Sequence, residues 1–191
     1  MTRNAWDAQY NGNGSTTDDW RTPRDLFARL DDEFRFAIDA AASDENHLCD
    51  TYWTRETDAL RQSWHGVAGP IWCNPPYGRD IGQWVRKAAL AAQSGQTVVM
   101  LVFVRSDTQW WHEWAWRAAE WRLICGRLSL TRGTGERGPA PAASVVLVFR
   151  PEYSRHIGER ISAGLPIAPL VTQWTPDGTP VGLASRDRVQ W

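Results

Sequence analysis

A chain of 191 residues is long enough for one ordinary domain with a real core and too short for two generous ones. Hydrophobic residues make up 42% of it and charged residues 23%, the balance of a globular protein and not of a disordered chain or a membrane span. The formal net charge of −1 supplies no global attraction to a polyanion, so any nucleic-acid contact must rest on local basic groups. Cys49, Cys73 and Cys125 stand far apart and are odd in number, which argues against a disulfide framework or a paired-cysteine zinc site, and no metal is expected. The first ten residues are polar and no apolar run reaches membrane length, so a cytoplasmic protein without membrane contact is expected. The composition stands out in its 13 tryptophans, side chains suited both to core packing and to stacking on bases.

In chain order, residues 1–19 are polar and aperiodic and read as a flexible arm. Thr22-Pro23-Arg24-Asp25 then reads as a helix cap, a proline at the first helical position and an early acid. The helix is expected to run to about Phe34, with Leu26, Phe27, Leu30 and Phe34 on one face. Phe36 and Ile38 alternate with small or polar neighbours, predicting a strand that ends at Asp39 before three alanines. A carboxylate there sits where α/β folds place nucleotide-like ligands, or it caps the following turn. Residues 49–54 suggest a short second strand, and Asp58-Ala59-Leu60 a loop.

Ile71-Trp72-Cys73 is a third strand, and it runs into Asn74-Pro75-Pro76-Tyr77. Two prolines end pairing because proline has no N–H and a fixed φ. An amide, a rigid carbonyl and an aromatic ring therefore project together from a strand end, a cluster able to hold a planar amide or amino group. Residues 80–93 have helical period, with Ile81, Trp84, Val85, Ala88 and Ala92 inward and Arg86 and Lys87 outward. The valine-rich run 97–104 predicts a central parallel strand. A loop at 105–108 leads to a tryptophan-rich helix ending near Glu120, then a strand over 121–125 that extends through 128–131. Residues 132–142 read as a mobile surface loop, and 144–149 as a last strand closed by Pro151. The expected fold is a three-layer α/β domain with a mostly parallel sheet over 20–151, with 152–191 as an extension carrying a helix near 157–163 and a hairpin at Pro176-Asp177-Gly178.

Several of these stretches resemble one family. Trp20-Arg21-Thr22-Pro23, residues 34–42 with Asp39-Ala40-Ala41, Asn46, Cys49, Asp58-Ala59-Leu60, Asn74-Pro75-Pro76-Tyr77-Gly78, Trp84 with Lys87-Ala88, and Gly126-Arg127-Leu128 are similar, in order and spacing, to the phage-encoded DNA N6-adenine methyltransferases. The likeness covers roughly residues 19–151. It implies a Rossmann-like fold dependent on S-adenosylmethionine, with Trp20, Thr22 and Pro23 against the methionine end of that cofactor. Asp39, beside Ala40 and Ala41, would hold its amino group, Asp58 would accept from its adenine amine, and Asn74 would border it.

The chemistry of the turn agrees with that implication. An adenine N6 amine is a weak nucleophile because its lone pair is delocalised into the ring. Acceptors for both of its protons, the Asn74 side-chain oxygen and the Pro75 carbonyl held rigid by Pro76, localise that pair. Tyr77 can stack on the base, which must be flipped out or single-stranded. The loop after the next strand on the same sheet edge would supply Arg105 and the rings of Trp110 and Trp111 to the target, and Arg127, Arg132 and Arg137 would either contact phosphates or form a solvated face. The expected partner is DNA, with relaxed target choice because no separate recognition domain is visible, and the expected state is a monomer or weak homodimer. The turn by itself would equally serve an RNA base or a protein glutamine amide, or persist in a non-catalytic relic.

Overall fold

A computed structural model describes residues 20–132, 135–163 and 167–181. The expected arm at 1–19 lies outside the described residues. Six strands form the main sheet in the order β2-β3-β4-β8-β5-β9: β2 (Ile38–Asp39), β3 (Ile71–Cys73), β4 (Val98–Phe103), β5 (Glu120–Ile124), β8 (Ser144–Phe149) and β9 (Leu170–Trp174). A second sheet of three strands, β1 (Trp20–Arg21), β6 (Ser129–Arg132) and β7 (Arg137–Pro139), has the order β1-β6-β7.

The core follows from alternation. Along β4, Val98, Met100 and Val102 belong to one apolar cluster while Val99, Leu101 and Phe103 belong to the other. Along β8, Val145, Leu147 and Phe149 face the first cluster and Val146 and Val148 the second, the period of two that a pleated strand imposes. The second cluster is closed by α1 (Arg24–Phe34), which buries the expected Leu26, Phe27, Leu30 and Phe34. The first is closed by α2 (Ile81–Gln93), through Trp84, Val85, Ala88 and Ala92. Each large side chain buried in this way contributes roughly 1.5–3 kcal/mol.

The chain is thus a mixed α/β protein, and the sheet departs from the mostly parallel expectation. β2, β3 and β4 are parallel neighbours, but β8 pairs antiparallel with both β4 and β5, from Val98 opposite Phe149 to Phe103 opposite Ser144 on the β4 side. The physical reason lies in the connection. Parallel return needs a long crossover, usually helical, whereas the chain between β5 and β8 is spent on β6 and β7. The predicted mobile loop at 132–142 contains β7, which pairs with β6, and Arg137 Nε donates to Ser129 Oγ at 2.9 Å. The predicted extension of the 121–125 strand instead becomes β6, turned into the small sheet after Gly126 at φ 82°.

Smaller differences are local. The suggested strand at 49–54 is a single bridge, Asp39 to Tyr52. The tryptophan-rich helix divides into α3 (Gln109–Glu113) and a 3-10 turn at Ala115–Arg117. The helix of the tail, α4 (Pro151–Ser162), starts directly at Pro151. β9, also from beyond residue 151, pairs parallel with β5 from Glu120–Leu170 to Ile124–Trp174. Trp174 pairs with Pro180 across the Pro-Asp-Gly turn. Lys87 does not point outward, since its ammonium donates to the carbonyls of Leu60 and Gln62, both at 2.6 Å, and burial lowers its pKa.

Candidate active site

Parallel pairing places the carboxyl ends of β2 and β3 side by side, Asp39 opposite Trp72. Asp39 and Asn74 therefore leave one sheet edge from neighbouring strands, although 35 positions separate their numbers. Asp39 is 2% exposed. Its carboxylate accepts the N–H of Ala41 and of Leu48, both at 3.2 Å. Burial pushes its pKa up to about 6, against those two N–H groups and the nearby His47, which pull it down. It does cap the turn that follows, and it also stores a charge that burial disfavours.

Asn74 is held by the segment that enters α1. Its Nδ2 donates to the Trp20 carbonyl at 2.6 Å and to Thr22 Oγ1 at 3.0 Å. Its Oδ1 accepts from the Tyr77 hydroxyl at 2.9 Å, and that hydroxyl also lies 3.0 Å from the Leu101 carbonyl. The expected helix cap is displaced by one position: Pro23 occupies it, makes no side-chain capping bond, and leaves the Thr22 hydroxyl to Asn74. Tyr77 turns its hydroxyl inward, where burial raises its pKa, and one face of its ring stacks on Phe103 at 3.9 Å and 19°. Pro75 is buried, and Pro76 and Gly78 are partly so.

The other predicted residues divide by burial. Ala40 is buried and Ala41 partly buried beside Asp39, small side chains that let a ligand approach the backbone. Asp58 is 5% exposed at φ 50°, accepts the Leu60 N–H at 3.2 Å and meets Arg61 Nε at 3.3 Å. Arg105 is exposed in the loop after β4. Trp110 is partly buried, and Trp111 is 2% exposed, edge-on to Trp121 at 4.9 Å. Trp111 is therefore a core residue here, and its predicted contact with the target does not match its position. Arg127 is exposed overall, with Nη1 donating to the Ala140 carbonyl at 3.1 Å.

Three participants escaped the sequence reading. Phe103 and the Leu101 carbonyl, at the end of β4, hold Tyr77, and only the pairing of β3 with β4 reveals them. Arg21 is the third: its Nε is buried with no acceptor among the described residues. Its place between Trp20 and Thr22 was the available signal. Glu45, just past the alanines, lies within reach of its charge. Among the described residues no group of three or more His, Cys, Asp or Glu side chains is arranged to hold a metal, and no helix is long and apolar enough to cross a membrane.

Residues 9–163 match the sequence family described as DNA N-6-adenine-methyltransferase (Dam). The chain belongs to the Dam family. A relative from Escherichia phage T1, described as a DNA N-6-adenine-methyltransferase, is 37% identical over 103 residues, 53% of this chain and 42% of that one. The Dam-family match takes in α1, β3 with its Asn-Pro-Pro-Tyr turn, both sheets as far as β8, and α4, while β9 lies beyond it.

The donor set also suits the cofactor that the resemblance implies. A buried carboxylate (Asp39) ends β2, and the segment whose Trp20 carbonyl and Thr22 hydroxyl hold Asn74 of the neighbouring strand carries Arg21, whose buried Nε has no acceptor among the described residues. The Asp39 carboxylate and the Arg21 guanidinium are complementary to the ammonium and carboxylate of an amino-acid moiety.

Proposed function

We propose that this Dam-family chain transfers a methyl group from S-adenosylmethionine to the exocyclic N6 of adenine in DNA, on a Rossmann-like frame. The observation that carries the reading is the orientation of Asn74. With Nδ2 committed to Trp20 and Thr22, the amide oxygen is the atom turned to the other side, where an amine donor can be accepted. In this reading one N6–H of a flipped adenine donates to Asn74 Oδ1 and the other to the Pro75 carbonyl, which restores the lone pair to nitrogen. The Tyr77–Phe103 stack walls the pocket, and the base packs against it. Asp39, Arg21 and Pro23 hold the amino-acid end of the cofactor, with Ala40 and Ala41 making room and Asp58 accepting from its adenine, while the Thr22 hydroxyl is committed to Asn74.

When bound, S-adenosylmethionine supplies an electrophilic methyl on a sulfonium leaving group. Asp39, Arg21 and Pro23 would hold that methyl toward N6, and the proton lost from N6 would leave to solvent, while Asn74 Oδ1 and the Pro75 carbonyl accept the N6 hydrogen bonds. Catalysis by the protein is orientation and electrostatics. Arg105 and Trp110 from the loop after β4, and Arg127 beside the small sheet, contact the DNA strand. The protein would act in the host cytoplasm, as a monomer or weak homodimer.

Parallel assays of labelled methyl transfer to DNA, RNA and protein test the proposal. Incorporation into DNA at adenine is expected, and Asn74→Ala is expected to lower kcat about 100-fold or more, the loss typical of removing one preorganised polar group. Transfer to RNA or protein without transfer to DNA would overturn the substrate. Equal rates for wild type and Asn74→Ala would overturn the mechanism.

A further inference from the structure

A side-chain amide rotates in a broad, nearly two-fold well, so an unrestrained Asn presents oxygen or nitrogen to a pocket with little preference. Position 74 is restrained. The Trp20 carbonyl carries lone pairs and no proton, so the Asn74 atom at 2.6 Å from it must be the nitrogen. The second proton of Nδ2 goes to Thr22 Oγ1 at 3.0 Å. Both donors are thereby used on one side. Oδ1 keeps two lone pairs on the other, one of which meets Tyr77.

The holding groups are anchored independently of β3. Trp20 and Arg21 pair antiparallel with Arg132 and Thr131. The Trp20 ring is buried, under the Arg132 guanidinium at 4.9 Å.

We propose that the Trp20 carbonyl and the Thr22 hydroxyl form a two-acceptor clamp that sets the amide orientation of Asn74, making Thr22 a positioning residue and making Asn, not Asp, the residue this site requires at 74. The inference rests on the reading of Asn74 as acceptor for the target amine. An ionised Asp at 74 would set a carboxylate oxygen against the Trp20 carbonyl, two acceptors with no proton between them. Such a carboxylate must turn away from the target or take up a proton. Once protonated it donates its O–H to Trp20 and still offers a carbonyl oxygen to the amine.

Steady-state methylation of a DNA duplex by the full chain at saturating S-adenosylmethionine tests the clamp, with cofactor binding to each variant measured by calorimetry. Thr22→Val is expected to lower kcat about tenfold, a lost hydrogen bond expressed as rate, with cofactor affinity within about twofold of wild type. Thr22→Ser, which keeps the hydroxyl, is expected to recover kcat to within about threefold of wild type. Asn74→Asp is expected to be about 100-fold slower at pH 8 and to regain activity as pH falls, a profile absent from wild type. Two results overturn the clamp: weakened cofactor binding with unchanged kcat in Thr22→Val, or Asn74→Asp as fast as wild type at pH 8. A fully active Asn74→Ala would instead remove the reading of Asn74 on which the clamp rests.

Discussion

Asp39 is the group whose environment makes the sharpest demand. Burial lifts its pKa from an ordinary 3.8 to about 6, which amounts to roughly 3 kcal/mol against the charged form. The sign of its effect on the ligand-free protein follows by linkage. Between about pH 6 and pH 3.8 the folded state holds a proton that the unfolded chain has released, so this group's penalty is present at neutral pH and relieved as pH falls. A cationic ligand group reverses the preference by stabilising the carboxylate. Cofactor affinity is therefore expected to fall about tenfold per pH unit below about 6, the opposite direction to the stability effect. Calorimetric titrations at several pH values, with Asp39→Asn as the reference, check it. Identical pH profiles for the two proteins would show that Asp39 carries no cofactor charge.

At the scale of elements, spacing governs how α2 meets α3. A Cβ added at Gly82 would stand 2.8 Å from Trp110 Cβ, a contact that backbone movement alone can relieve. Gly82→Ala is expected to destabilise by about 1–3 kcal/mol, as overpacking does, read as a lower urea midpoint. Gly158, inside α4, has nothing within 4 Å of the same added atom. Gly158→Ala is expected to stabilise by about 0.5–1 kcal/mol through helix propensity and a less flexible unfolded chain. If both substitutions shifted the midpoint the same way, the contact at Trp110 would not be what requires the glycine.

The same elements show what periodicity can and cannot reveal. The inward faces of α1 and α2 and the positions of β3, β4 and β8 were legible because burial on a known period leaves a pattern. The direction of β8 was not, since a strand buried on both faces reads alike either way. β7 was illegible for another reason: Arg137-Gly138-Pro139 has poor strand propensity, and only pairing with β6 orders it. In the site, Asn74 and Asp39 were legible as strand-end residues. The Trp20 carbonyl that orients Asn74 was not, because a backbone atom carries no residue signature.

The whole molecule is tied together by a charge network beneath its last strand. Arg122, 3% exposed in β5, makes a two-pronged pair with Glu33 of α1 at 2.6 and 2.7 Å and a second pair with Glu120, which Arg150 also reaches at 2.8 Å. Phe34 and Trp174 sandwich its guanidinium, at 5.1 and 4.5 Å. Trp174 comes from β9, outside the span that matches the family. The chain past residue 163 therefore completes the sheet edge and the cover over a buried cation. Removing that cover exposes the pairs to water and weakens them. Trp174→Ala is expected to lower stability by about 3–5 kcal/mol, and a chain ending at residue 163 by more, because the parallel pairing along β5 goes with it. Urea unfolding in low and high salt separates the two contributions. With Trp174 in place the Arg122 pairs are shielded and the midpoint should move little with salt. In Trp174→Ala screening should lower it further. A truncated chain as stable as the full one would mean that the family-matched region folds without its sixth strand.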